Sequence, residues 1–427
     1  MSKILMTLVY FCFFLFSCGS KKNDNPVVPD DPCIENPELC ITPDPNPEPQ
    51  LPPAVESSLH GVLPPNGNPD FATNIYNNWK ERYIIYHSQE ASANDLPGAE
   101  NAARVMWDSR PFTVSEGIGY GMLNAFFAGD YDLVNQLFHY SVIMRQDGLR
   151  LMPWKTRYFQ KAEDRTSATD ADLDIATALV LLYAVTGNEQ FKASALEVIE
   201  DIWTWEILPA NLMIRPANAG FGGQHNLSYF APIALRLFAW VDPAHDWMGV
   251  LNVGYEYMAL VQSRGNGLVA DWTSTDGYPV VPANNAQSTN YNRFGMESLR
   301  VPWRLAWDYH WTGEPRAKAI LDQMSNYIVT TTGGDPSQAR KSYPYELNDA
   351  SEPDNLWNSH TKIHVGAVGT VCAMNFTNPD QLVFMDQCTA ILNTNMNTLI
   401  DYYPDILQVI YSQLLNGLYQ KPPAIPF

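Results

Sequence analysis

From about residue 58 onward, apolar residues return at intervals of three and four or run on almost without a break, as helices require. The pattern predicts helices over 62–79, 117–129, 131–144, 171–186, 189–203, 228–240, 244–262, 297–309, 314–329, 361–374, 379–398 and 402–418, which makes six helical pairs. Segments 175–185 and 365–374 are apolar around most of their circumference, as inner helices covered by an outer layer would be. An all-α toroid of paired helices fits this alternation, and an irregular all-α domain is the competing arrangement. Strand-period alternation recurs too little to suggest a sheet. The long connections 147–169, 203–227 and 264–296 hold Trp154, Asp271, Trp272, Tyr291 and Arg293, and such loops commonly build a site at one rim.

The pattern ahead of this region is different. Lys3 precedes an apolar run over residues 4–16, too short to span a bilayer and of the length of a signal-peptide core. Leu15-Phe16-Ser17-Cys18 resembles the lipobox of bacterial lipoproteins, in which cleavage leaves the cysteine to carry lipid. An ordinary secreted protein is the alternative. Pro, Asp, Asn and Glu dominate from Lys21 to about Val55, which reads as an acidic tether. The expected organisation is a signal peptide over 1–17, a lipidated Cys18 and tether over 18–57, and one helical domain over 58–427. Such a chain would sit in the bacterial cell envelope, anchored by lipid to the membrane, with exposure at the cell surface as one arrangement. Cys33 and Cys40 could close a small loop in the tether, whereas Cys372 and Cys388 read as buried thiols.

Composition narrows the partners. The 427 residues are 46% hydrophobic and 17% charged, so a folded domain is expected, and 12 Trp with 22 Tyr are enough to line a cleft as well as fill a core. A formal net charge of -20 with no basic stripe argues against nucleic acid. Neutral or cationic polymers remain acceptable. Neither cysteine pair has zinc-site spacing, and no cofactor or metal is expected.

Two stretches place carboxylates where a packed interior would refuse them without a purpose, a pattern that suggests carbohydrate hydrolysis. In Ser115-Glu116-Gly117-Ile118-Gly119-Tyr120-Gly121-Met122 a glutamate enters an apolar helix among glycines, which would leave room for a sugar. Partial desolvation there would raise its pKa toward neutrality, as a general acid needs. Alternatively, Glu116 serves the helix dipole and the glycines permit a turn. In Ala168-Thr169-Asp170-Ala171-Asp172-Leu173-Asp174-Ile175-Ala176 alternating aspartates precede a strongly apolar helix. Thr169 and Asp172 have capping-box spacing, while Asp170 and Asp174 share a side, Asp174 being either a cleft contact or half of a buried ion pair. The stretch lacks the glycine and terminal glutamate of an EF-hand loop.

With Gly148-Leu149-Arg150-Leu151-Met152-Pro153-Trp154-Lys155, Asn226-Leu227-Ser228-Tyr229-Phe230, Gly267-Leu268-Val269-Ala270-Asp271-Trp272, Arg300-Val301-Pro302-Trp303-Arg304 and a Tyr402-Tyr403 helix in order, the chain resembles glycoside hydrolase family 8. The resemblance covers almost everything after the tether. It implies an (α/α)6 barrel of six inner and six outer helices and an inverting, endo-acting hydrolase of β-1,4-linked polysaccharide or oligosaccharide; a monomer is expected. It carries the general acid onto Glu116 and the positioning of the sugar ring onto Asp170. The base is less direct. In one branch of the family an aspartate stands three residues before the arginine that matches Arg300, and here that position is Glu297. Glutamate can serve if its longer side chain places the carboxylate about 6.5–9.5 Å from the acid. Asp271 and Asp276 are the alternative bases, and an ion pair with Arg300 or Arg304 is the alternative role for Glu297. Trp154, Tyr120, Tyr229 and Trp272 are the expected sugar-contacting aromatics, and Arg300 the residue that grips the base or a buried ion-pair partner. Glucan or xylan is the expected substrate, with a chitosanase of the same fold or an inactive glycan-binding lipoprotein as alternatives.

Overall fold

Twelve α-helices occupy the described residues, in the order α1 (Pro69–Tyr83), α2 (Ser115–Phe127), α3 (Tyr131–Met144), α4 (Thr169–Thr186), α5 (Glu189–Glu206) and α6 (Pro232–Val241). There follow α7 (Trp247–Arg264), α8 (Val301–Thr312), α9 (Pro315–Thr332), α10 (Lys362–Val371), α11 (Pro379–Thr394) and α12 (Tyr402–Leu415). The computed structural model describes residues 55–56, 60–145, 148–162, 165–283, 291–340, 342–345, 362–371, 378–394 and 401–427. The signal segment, Cys18, Cys33, Cys40 and Cys372 lie outside them. The expected tether, 18–57, is described only at Val55–Glu56, whose strand pairs with Val62–Leu63 just ahead of and just inside the expected start of the domain.

The even-numbered helices form a closed inner ring, α2 against α4, α4 against α6, α6 against α8, α8 against α10, α10 against α12, and α12 back against α2. The odd-numbered helices lie outside, each packed on an inner neighbour. This is the (α/α)6 barrel. Burial follows the sequence pattern: in α4 every residue from Thr169 to Leu182 is buried, whereas α5 buries chiefly one stripe, with Ala195, Val198, Ile199 and Ile202 among its members. Cys388 is buried in α11.

Several helix starts differ from the expected ones, and proline or capping chemistry explains them. The helix expected from residue 62 begins at Pro69, because Val62–Leu63 pairs as a strand and Asn68 accepts the amide of Asp70 as N-cap. Ahead of α6 and α8 the expected helical residues form 3-10 turns, Leu227–Tyr229 and Ser298–Arg300, and the α-helices start at the prolines Pro232 and Pro302 or one residue before. Short antiparallel strand pairs, among them Phe112–Val114 with Lys155–Arg157, lie in the connections. Among the described residues no helix is long and apolar enough to cross a membrane.

Candidate active site

The N-terminal ends of inner helices meet at one end of the barrel. Glu116 stands in the first turn of α2 and Asp170 in that of α4; Asn226 caps the turn before α6, Glu297 and Arg300 flank the turn before α8, and Tyr402 opens α12. Side chains pointing from these ends find one another across the ring.

Arg300 is the hub. Its Nη1 donates to Glu116 Oε2 at 2.9 Å, to Asp170 Oδ2 at 2.9 Å and to the Tyr120 phenol at 3.0 Å. Its Nη2 donates to Glu297 Oε2, which also accepts from Asn226 Nδ2 at 2.8 Å. Burial works against the charge of Arg300, and the surrounding phenols and carboxylates outweigh it, so the guanidinium stays charged. Among the described residues no cluster of His, Cys, Asp and Glu is arranged to hold a metal ion.

The carboxylates differ in surroundings. The Glu116 side chain is 20% exposed and that of Glu297 35%, so both reach solvent, whereas Asp170 is closed off at 2%. Burial pushes the Glu116 carboxyl up to about 7, with Asp170 and Glu297 adding to the rise and Arg300 and the Tyr402 phenol opposing it. The Tyr402 phenol donates to Glu116 Oε1 at 2.9 Å. Asp170 is raised by burial, against the pull of Arg300. Its Oδ1 accepts the amide of Ala171 at 2.9 Å, so both of its oxygens are engaged by protein.

Asp271 lies directly behind Glu297, and its Oδ1 accepts from the amides of Gly295 at 3.0 Å, Glu297 at 3.3 Å and Ser298 at 2.9 Å and from the Ser298 hydroxyl at 2.7 Å. One carboxylate oxygen thereby gathers the whole turn that presents Glu297. Burial, then the charge of Glu297, lifts Asp271 to about 7. Asp276 does not join the site. It is exposed, accepts from the Ser274 hydroxyl at 2.5 Å, and is held below the usual carboxylate range mainly by that bond.

The aromatic expectations divide. Trp154 is 38% exposed, and its carbonyl accepts the amide of Ser115 at 2.9 Å, which fixes it beside the start of α2. Tyr229 is half-buried with the Arg300 guanidinium 5.5 Å from its ring centre. Trp272 is 5% exposed and stacks on Phe221, centroids 5.4 Å apart and planes at 7°. Tyr120 is a correction: its ring is fully buried, edge-on to Trp303 at 5.8 Å, and leaves no face for a sugar. Arg300, at 1% exposed, likewise organises carboxylates from beneath the cleft.

Two further corrections concern backbone and caps. The glycines after Glu116 make room for protein rather than for sugar. A Cβ on Gly117 would stand 3.0 Å from the Tyr402 hydroxyl, and one on Gly119 would stand 2.9 Å from Asp174 Cβ and 3.0 Å from the Ala171 carbonyl. Nor do Thr169 and Asp172 form a capping box: Ala168 is the N-cap and Thr169 the first helical residue. Asp172 Oδ1 instead accepts the amide of Met152 at 3.2 Å, and the carboxyl faces Glu206, a residue the sequence did not suggest. Asp174 resolves as an ion pair, with both oxygens on the Arg304 guanidinium, Nη2 to Oδ2 at 2.8 Å. Tyr402 and Asn226 occur in the motifs as flanking residues, and only the folded ring reveals that they touch the two glutamates.

A closed (α/α)6 ring with carboxylates gathered at one end defines the class as a helical-toroid protein with a carboxylate-lined cleft. The profile of glycosyl hydrolases family 8 matches residues 68–411, and the chain belongs to that family. It is 31% identical over 266 residues to Endoglucanase 2 of Ruminiclostridium josui, covering 60% of this chain and 55% of that one. The match spans about half the length of the curated relatives, 50% and 53% for two further endoglucanases. Among solved structures, the β-1,3-1,4-glucanase of Paenibacillus sp. X4 superposes with a TM-score of 0.71 at 21% identity, over 84% of this chain and 96% of that one. Rex8A of Paenibacillus barcinonensis, complexed with xylose, gives a TM-score of 0.64 at 18% identity, over 83% and 94%. These two likenesses describe the fold.

Proposed function

We propose that this protein cleaves β-1,4-linked glucan or xylan within the chain, with inversion at the anomeric carbon. The observation that carries the proposal is the shared grip of Arg300 on Glu116 and Glu297, two carboxyl groups in unlike surroundings that both keep access to solvent. Unlike surroundings separate an acid from a base. Glu116 holds its proton near neutrality and gives it to the leaving glycosidic oxygen. Glu297 takes a proton from a water, whose oxygen bonds the anomeric carbon from the opposite face as the glycosidic bond breaks. Asp170 steadies the floor of the site under the reacting sugar through Arg300, and Asp271 holds the turn bearing Glu297. Trp154, Tyr229 and Trp272 border the sugar faces. Relatives named endoglucanase and glucanase, and a fold neighbour bound to xylose, support this substrate class.

The test is product formation on separate glucan, xylan, mixed-linkage glucan and chitosan by the purified domain with its Glu116→Gln and Glu297→Gln variants. Each substitution should lower kcat about 10²–10⁴-fold, the usual contribution of a general acid or base. Activity that survives only the Glu297 change would move the base elsewhere, Asp271 being next in place. Saturable binding without products would make this a glycan-capturing protein.

The N-terminal sequence supports a lipoprotein: export directed by 1–17, a lipid on Cys18, and a tether that holds the domain away from the bacterial envelope membrane. Membrane association that persists unchanged in Cys18→Ala cells would refute the anchor.

A further inference from the structure

We propose that the rim beside Glu116 reads a carboxylate on the substrate, so that the preferred polymer carries uronic acid side groups, with Lys155 and Arg157 as the recognising cations. This deepens the hydrolase reading above and rests on it.

The two cations belong to one built face. Strand Phe112–Val114 pairs antiparallel with Lys155–Arg157, with Val114 opposite Lys155 and Phe112 opposite Arg157. Alternation puts Phe112, Val114, Lys155 and Arg157 on one side of the pair. Thr113 and Thr156 take the other side and are buried, Thr156 meeting the Tyr140 phenol at 2.9 Å. The outward side leads straight into the acid, since Val114 is the N-cap of α2 and Glu116 lies two residues on.

On that face the cations have rings for neighbours and, among the described residues, no counter-ion. The Lys155 ammonium lies 4.5 Å from the centre of the Phe112 ring, 4.9 Å from that of Trp107 and 5.8 Å from that of Trp154. The Arg157 guanidinium lies 5.8 Å from Phe112 and 5.4 Å from Tyr158. Neither forms an ion pair among the described residues, and the nearby Glu90 is taken by Arg104 at 2.5 Å and Arg110 at 3.6 Å. Lys155 is half-buried and Arg157 exposed. In a chain of net charge -20, unpaired cations are not the expected neighbours of a catalytic carboxyl.

Rings flank both cations, and a sugar stacked on Trp154 would present its substituents close to the Lys155 ammonium, which lies 5.8 Å from the centre of that ring. A carboxylate fits a lysine and an arginine spaced two apart on one strand face. The same charges repel the ammonium groups of chitosan. A neutral polymer would gain nothing from them.

The experiment compares glucuronic acid-substituted xylan with the same xylan after its carboxyl groups have been reduced to hydroxymethyl groups. Parent, Lys155→Met, Arg157→Gln and double-variant proteins are assayed at low and high salt, and oligosaccharides from both polymers are titrated onto the Glu116→Gln protein to read binding without turnover. The expected preference of the parent for the acidic polymer is about 5- to 10-fold in kcat/KM, carried by KM and shrinking with salt, as partly exposed ion pairs do. The double variant should treat both polymers alike, at the parent's rate on the reduced one. Equal treatment by the parent, or equal loss on both polymers in the variants, overturns the proposal and leaves the cations as packing for the strand pair. Absent hydrolysis with a retained binding preference would instead overturn the enzymatic reading and keep this one; no binding preference sinks it whatever the activity.

Discussion

Glu116 and Glu297 carry the same functional group and touch the same guanidinium, yet they are not interchangeable. Glu116 sits deeper and holds its proton to about 7; its Oε1 is met by Tyr402 and its Oε2 by Arg300. In the proposed reaction Glu116 is lost as general acid when it ionises, so kcat/KM should fall on the alkaline side of about pH 7. Tyr402→Phe removes a hydrogen bond that favours the charged form, so the alkaline limb should move upward in pH; a limb that stays in place would detach it from Glu116. Much of this was legible. Glu116, Asp170, Glu297 and Arg300 stand in short ordered motifs, and a glutamate beside glycines at a helix start already signals desolvation. The hub was not, because Arg300 meets Glu116 and Asp170 across 184 and 130 residues of chain. Tyr120 misled for the same reason: the sequence offers an aromatic next to the acid, and only the ring of helices reveals that it points inward.

The first turns of the inner helices serve the cleft, and their next turns hold the ring together. Along α8, Arg300, Arg304 and Asp308 recur at helical spacing, and each buried charge is matched by another element: Arg304 by Asp174 of α4, Asp308 by Arg236 of α6 at 2.7 Å. Removing one partner of such a pair strands the other. Arg304→Met should therefore lower stability by about 3–5 kcal/mol in urea unfolding, and a second change, Asp174→Leu, should restore part of it. Gly119→Ala should cost about 1–3 kcal/mol, because its methyl must displace α4 backbone rather than a flexible side chain. Helix identity was readable from apolar spacing, whereas starts were less so. The pattern alone does not separate a 3-10 turn from the first α-turn, and Pro232 and Pro302 marked the division more reliably than the apolar residues did.

Across the whole domain, buried carboxyl groups outnumber what a neutral core would hold. Burial raises Asp172 well above the usual range and Glu206 to about 7, with Glu206 raising Asp172 further and Asp170 adding to the rise of Glu206. Glu206 accepts the Ser167 hydroxyl at 2.5 Å, while Asp172 accepts the Met152 amide, so the pair ties the connection between α3 and α4 to the start of α4 and the end of α5. Glu116, Asp170, Asp174, Asp271 and Asp308 are raised as well, also chiefly by burial. For these carboxyl groups the sign of the linkage is definite, while His310, pushed down to about 4 by burial, and His225, also lowered by burial, work against it below the usual histidine range. Between the unfolded carboxylate range near ~4 and about 7 the folded state binds more protons than the unfolded one, so stability falls as pH rises. Carboxylates held low, such as Asp130 and Glu314, act only below that window. Urea midpoints should be higher at pH 5.5 than at pH 7.5, and Glu206→Gln should flatten the difference. A flat profile in the parent would mean that these groups ionise in place.

The ring closes late. α12 packs between α10 and α2, and its first residue reaches a glutamate made 286 positions earlier. A polypeptide emerging from a ribosome or a translocation pore therefore holds Glu116 without its phenol partner until nearly all of the domain has been delivered. Chains interrupted upstream of Tyr402 would carry the acid, the arginine and both neighbouring carboxyls in an open horseshoe with one seam wet. The Tyr402 phenol is thus a late arrival at the Glu116 carboxyl during synthesis.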